Sequence, residues 1–221
     1  MVSHTTSADS RAPHLPLLVD LRARRAVVVG AGTIGARRAR SLLDAGAEVT
    51  VVDPAPSVDA GGLGHRGARI VARGYQDGDL DGALIAVAAT GNPQVDGAVR
   101  RDADAAGILC NVAADVAACS VVFPSLLRRG QVVVAASTGG ASPAVAARLR
   151  DHLAEAVGDE WGALVELLGE LRPGLRVRYP DSADRRAAVD RLMDTDVMAL
   201  LAADDTAGAR RLAHSTLGIS R

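Results

Sequence analysis

Apolar positions in the first half of this chain come in short unbroken runs, and in the second half they are spread at helical spacing. Residues 26–29 form a continuous apolar run, as a strand buried on both faces requires. Residues 34–45 carry Ile34, Arg38, Leu42 and Ala45 at helical spacing and run into Gly46, a residue suited to ending a helix. Strands are predicted at 48–52, 68–72, 84–88 and 108–112, with a Gly- and Asp-rich connection before the third of these and a helix over 95–106 before the last. This alternation predicts an α/β fold, a Rossmann-like parallel sheet.

Past Asp115 the pattern changes. Residues 116–127 hold an apolar run interrupted by Pro124, and 131–136 read as a strong strand. Ser137-Thr138-Gly139-Gly140-Ala141-Ser142-Pro143 then opens a helix reaching about residue 157, with Ser142 as N-cap and Pro143 in its first turn. From Glu160 onward the spacing is helical, with breaks expected at Pro173-Gly174 and Pro180. The layout expected is a leader over 1–14, disordered by its polar composition, and a nucleotide-binding domain over 15–112. A strand-rich junction over 113–142 and a helical part over 143–221 complete it.

The strongest local motif is Gly30-Ala31-Gly32-Thr33-Ile34-Gly35, set between a strand and a helix. In such a turn the first glycine allows the bend, the second lets a pyrophosphate approach the backbone, and the third lets the helix pack on the sheet. The phosphates then meet free N–H groups and the positive end of the helix dipole. Asp53 ends the next strand, 18 residues past Gly35, where a carboxylate would bond both ribose hydroxyls and repel a 2′-phosphate. No arginine follows until Arg66, so NAD is expected rather than NADP.

Composition narrows the chemistry. All 25 basic side chains are Arg, against 26 Asp plus Glu, so Schiff-base, P-loop and general-base lysines are excluded. The only aromatics are Phe123, Trp161, Tyr75 and Tyr179, too few for a base-stacking nucleic-acid platform. Cys110 and Cys119 sit in no CxxC, and no apolar run approaches a membrane span, so a cytoplasmic protein without membrane or nucleic-acid partners is expected. His4, His14, His65, His152 and His214 show no ligand spacing, so no metal site is expected. Charge is uneven: residues 116–150 hold 4 Arg and no acid, while the whole chain has a net charge of −1.

Beyond the glycine turn, a series of segments resembles the precorrin-2 dehydrogenases, the N-terminal module of sirohaem synthases. These are Leu15-Pro16-Leu17-Leu18-Val19-Asp20-Leu21, Arg37-Arg38-Ala39-Arg40, Leu42-Leu43-Asp44-Ala45-Gly46-Ala47 and Ala88-Ala89-Thr90-Gly91-Asn92-Pro93. Cys110-Asn111-Val112, Phe123-Pro124-Ser125 and Ser137 to Pro143 continue the series. Order and spacing hold over roughly residues 15 to 172. The resemblance implies NAD-dependent oxidation of precorrin-2 to sirohydrochlorin, toward sirohaem or cobalamin, in a homodimer interlocked through the strand-rich junction. Some members also insert Fe²⁺ or Co²⁺ into the product. Carried over by position, Gly30, Gly32, Thr33, Ile34 and Gly35 would hold the cofactor with Asp53, Pro54, Ala55 and Thr90.

One departure bears on catalysis. The family usually has an aspartate three residues after the position of Asn111, where this chain has Ala114 and, one residue later, Asp115. Asp115 is either the displaced acid/base or a solvated or helix-capping aspartate. If it does not serve, a catalytically impaired NAD- or tetrapyrrole-binding protein is the alternative. Substrate carboxylates are expected at Asn111, Ser137, Thr138 and Arg148, although a turn and a cap also account for the hydroxyls. Arg150 lies two residues from Arg148 and points elsewhere on the helix. Arg128 and Arg129 are expected in a solvated turn before Gly130.

Overall fold

The computed structural model describes residues 14–56 and 58–219, so the leader expected over 1–14 lies outside the described residues except for His14, which is exposed. The chain forms two compact units that divide between Phe123 and Pro124.

The first unit is a five-stranded parallel sheet in the order β3-β2-β1-β4-β5. Its strands are β1 (Arg25–Val29), β2 (Glu48–Val52), β3 (Arg69–Val71), β4 (Ile85–Ala88) and β5 (Leu109–Val112). Central β1 is shielded on both faces, with Ala26 to Val29 at most 1% exposed, which is why its sequence does not alternate. Ala26 and Val28 face one core with Ala36, Ala39 and Leu42 of α1 (Thr33–Asp44). Val27 and Val29 face the other, with Val99 and Ala103 of α3 (Pro93–Ala105). The alanines on both helices bring their axes close to the sheet. Strand order reverses between β1 and β4, and the crevice at such a switch point is where doubly wound sheets bind ligands.

In the first unit, one helix departs from the sequence expectation. α2 (Val58–His65) forms where no helix is predicted, because Gly61, Gly62 and Gly64 weaken the helical pattern there. Burial of Leu63, 0% exposed in the α1-side core, overrides that preference.

The second unit begins with an antiparallel ribbon, β6 (Ser125–Arg129) paired with β7 (Val132–Ala136). Arg128 and Arg129 therefore do not lie in the turn, as expected, but end β6 opposite Val133 and Val132. The reversal is confined to Gly130-Gln131, with Gly130 at φ +55°. Helices α4 (Pro143–Ala156), α5 (Asp159–Arg178), α6 (Ser182–Met193), α7 (Val197–Ala202) and α8 (Thr206–Leu217) follow. The break expected at Pro173-Gly174 does not occur, since α5 runs through it. Pro inside a helix costs about 3 kcal/mol. Leu164, Leu167, Leu171 and Leu175 are all buried along α5, each contributing roughly 1.5–3 kcal/mol, so packing wins. Gly174 lets α5 pack closely on Ile219, since a Cβ there would lie 2.5 Å from Ile219 Cγ2. The break at Pro180 does occur, between α5 and α6.

Among the described residues no helix is long and apolar enough to cross a membrane, and both cysteines are free thiols.

Candidate functional site

The glycine turn follows β1 and its three glycines are held for three different reasons. Gly30, at φ +98°, presses its α-carbon against the Ala89-Thr90 backbone, and an added Cβ would lie 2.7 Å from Thr90 N. At Gly35 a Cβ would collide with the Gly30 carbonyl oxygen, so only glycine lets the first turn of α1 sit over the loop. Gly32 is the opposite case: a Cβ there would meet nothing within 4 Å. Gly32 is also the N-cap of α1, and no side chain caps it. Gly32, Thr33 and Ile34 are exposed, Ile34 at 45%. Open backbone N–H groups beside an uncovered apolar side chain at a helix start fit a dinucleotide's phosphates.

Asp53, at the end of β2, binds this turn directly. Its Oδ2 accepts from Ala31 N–H at 2.5 Å and its Oδ1 from Ala55 N–H at 2.7 Å. Each carboxylate oxygen keeps a second lone pair for a ribose hydroxyl. Pro54 and Ala55 are exposed beside it. Arg66, the first arginine that could receive a 2′-phosphate, is paired with Asp44 at 2.5 Å.

Thr90, just past β4, is fixed by a carboxylate that sequence reasoning missed. Its hydroxyl donates to Asp96 Oδ1 at 2.6 Å and accepts from Asn92 N–H at 3.0 Å, while Thr90 N–H donates to the same Asp96 oxygen at 3.1 Å. Asp96 is 4% exposed in the first turn of α3. The available signal was an acid four residues after the N-cap Asn92, where the helix dipole favours it. The structure thus gathers Gly30, Gly32, Thr33, Ile34, Gly35, Asp53, Pro54, Ala55 and Thr90 at the C-terminal ends of β1, β2 and β4.

Asp115 lies beyond the C-terminal end of β5, exposed, and caps the 3₁₀ turn Val116–Ala118 by accepting from Ala117 N–H at 2.8 Å. Asn111, in β5, is 5% exposed; its Nδ2 donates to Val121 O at 3.0 Å and approaches Cys119 Sγ at 3.4 Å, and its Oδ1 has no partner. It holds the returning chain to the sheet. Burial pushes the neighbouring Cys110 thiol up to about 11, so this cysteine is inert at neutral pH. Arg38, stacked 4.3 Å from the Phe123 ring centre, has its pKa lowered by burial and by Arg37.

In the second unit Thr138 closes its own turn, its hydroxyl donating to Ser142 O and accepting from Ser142 N–H, both at 3.0 Å. Ser137 Oγ accepts from Gly139 N–H at 3.2 Å, and Ser142 caps α4 through Val145 N–H at 3.3 Å. Of the four arginines in the acid-free segment, two are neutralised from outside it, Arg129 by Asp159 at 3.2 Å and Arg150 by Asp151 at 2.5 Å. Arg128 and Arg148 are exposed and have no ion-pair partner among the described residues. No cluster of three or more His, Cys, Asp or Glu able to hold a metal occurs among the described residues.

Residues 17–125 match the family described as putative NAD(P)-binding, and residues 160–217 match the sirohaem synthase dimerisation region. A siroheme synthase of Pseudomonas entomophila (strain L48) is 36% identical over 200 residues, covering 90% of this chain and 43% of that protein. A siroheme synthase of Azotobacter vinelandii is 34% identical over 207 residues, covering 92% and 44%. The chain therefore spans less than half the length of these relatives. In fold it is similar to a solved structure titled SirC, precorrin-2 dehydrogenase, with a TM-score of 0.74, 24% identity, and 92% of this chain and 98% of that one covered. In chain order, then, a region matching the putative NAD(P)-binding family precedes one matching the sirohaem synthase dimerisation region.

Proposed function

We propose that this chain oxidises precorrin-2 to sirohydrochlorin with NAD as hydride acceptor, in the cytoplasm and as a homodimer. The observation that carries the reading is the open Gly32 backbone at the uncapped start of α1 with Asp53 beside it, in a chain similar to part of the siroheme synthases. When bound, the nicotinamide supplies the acceptor for two electrons and one hydrogen. The chain does the rest. The α1 N-terminus binds the phosphates, Asp53 orients the ribose, and the carboxylate of Asp53 with Arg66 already paired favours NAD over NADP. Thr90, locked by Asp96, offers a fixed edge for the nicotinamide.

Loss of hydride from the macrocycle leaves a proton to remove, and in this reading the exposed Asp115, beyond the end of β5, takes it. One of its oxygens is committed to Ala117 N–H; the other accepts the proton. Within the second unit, the exposed Arg128 and Arg148 offer positive charge suited to a polycarboxylate substrate. The two-stranded β6–β7 ribbon has an unpaired outer edge on each strand among the described residues. Those open edges leave main-chain groups able to pair with a second copy.

The capping bond of Asp115, together with Ala114 at the preceding position, favours a second reading: binding of NAD and tetrapyrrole without turnover. Anaerobic incubation with NAD and precorrin-2 separates the two. Formation of NADH with the sirohydrochlorin spectrum supports oxidation, with Asp115→Ala slowing it about 100-fold. Bound substrate without NADH leaves only the binding protein. Addition of Fe²⁺ or Co²⁺ to the product then tests metal insertion as a separate activity on a substrate metal.

A further inference from the structure

The helical unit contains a cavity of about 350 Å³ between α5 and α6 that none of the preceding chemistry uses. Both helices pack on α7 and α8, leaving this gap between them. Its lining includes Arg172, Arg176, Arg185 and Arg186, with Asp190 and Leu175. Four arginines and one carboxylate thus line it. Among the described residues none of the four has an ion-pair partner.

Two of these arginines have structural work. Arg185 Nη1 donates to the carbonyls of Tyr179 at 2.8 Å and Pro180 at 2.5 Å, which closes the α5–α6 connection and fixes its guanidinium. Arg176 lies in the last turn of α5, where a cation complements the helix dipole. Arg172 and Arg186 have no such role. Arg172 stands one turn before Arg176 on the same helix face, a repulsive arrangement. Both Arg172 and Arg186 are exposed and uncompensated, although the chain as a whole carries a net charge of −1. Guanidinium forks from two helices, one of them immobilised, over the apolar floor of Leu175 match a compact ligand bearing several oxyanions.

We propose that this cavity binds a small polyanion carrying at least two phosphate or carboxylate groups, at a site separate in the chain from the glycine turn. Arg172, Arg176 and Arg186 grip the oxyanions and Arg185 sets the geometry. Asp190 limits the excess charge to about three.

The test is calorimetric titration of the full chain with inorganic pyrophosphate and, separately, with citrate. Saturable binding of one anion per chain is expected, weakened about tenfold in Arg172→Gln, about tenfold in Arg186→Gln and within about twofold of wild type in Arg211→Gln, an exposed α8 arginine outside the cavity. Tighter pyrophosphate assigns a phosphate-bearing ligand, and tighter citrate a polycarboxylate. Absence of saturable binding overturns the proposal, as does equal loss in all three variants. So does a wild type that binds neither anion while Arg172→Gln loses its oligomeric state by light scattering, because the cavity then receives carboxylates of a second copy. NADH binding stays unchanged in both cavity variants, which separates this site from the dehydrogenase reading.

Discussion

Two glycine-containing turns in this molecule each lead from a strand into a helix, and they are built for opposite ends. At Gly30–Gly35 the glycines are demanded by backbone contact: a Cβ on Gly30 or Gly35 would strike main-chain atoms. At Gly139 the demand is only conformational, φ +63° with open space around it. The helix starts differ in the same sense. α1 begins at Gly32 with no side-chain cap, so its first N–H groups stay available. α4 begins at Ser142, which satisfies Val145 N–H itself, and Pro143 has no N–H to offer. A helix N-terminus left open is equipped for a phosphate, while one closed by its own side chain is a structural corner.

This contrast can be broken by substitution. Gly35→Ala should have the largest effect. Despite alanine's better helix propensity, the collision with the Gly30 carbonyl should destabilise the fold by about 3 kcal/mol or more and abolish NADH binding, read by thermal unfolding and by nicotinamide fluorescence. Asp53→Asn comes next: loss of the charge should erode the preference for NAD over NADP about tenfold, or 1.4 kcal/mol, in parallel titrations. Ser142→Ala should cost about 1 kcal/mol of stability from the lost cap with NADH affinity unchanged. A fall in affinity there would erase the distinction between the turns.

The effect that is smallest at neutral pH emerges only under alkaline conditions. The Cys110 thiol is held at about 11 against an ordinary 9.0. The unfolded chain therefore loses this proton first, and the thiol's contribution to stability is intact below pH 9 and declines as pH rises from about 9 to 11. Cys110→Ala should flatten that part of the unfolding curve. Disulfide-exchange reagents at pH 8 should leave Cys110 unmodified until the protein is unfolded.

The first unit was more legible in the sequence than the second. β2 and the N-cap of α4 fall where the pattern places them, because unbroken Val runs and a Ser-Pro start report local preferences that tertiary packing then reinforces. α2 was hidden because its stability comes from Leu63 in the core and not from its glycine-rich sequence. α5 passes through Pro173 because four buried leucines outweigh a local penalty. The glycine turn was legible since one contiguous motif carries it. Asp96 was not, because an acid in a first helical turn is commonplace and its bond to Thr90 exists only once the turn between them has folded. The acid-free segment showed a charge of +4 in sequence, yet Asp151 and Asp159 neutralise half of it from just beyond its end.

The central claim is that the open backbone around Gly32 seats the cofactor's phosphates. Gly32 has φ −68°, which any residue adopts, and free space where a side chain would go. Gly32→Val should therefore leave the unfolding temperature near wild type while NADH affinity, measured by fluorescence titration, falls at least about tenfold. Unchanged NADH affinity in a folded Gly32→Val protein would contradict the account.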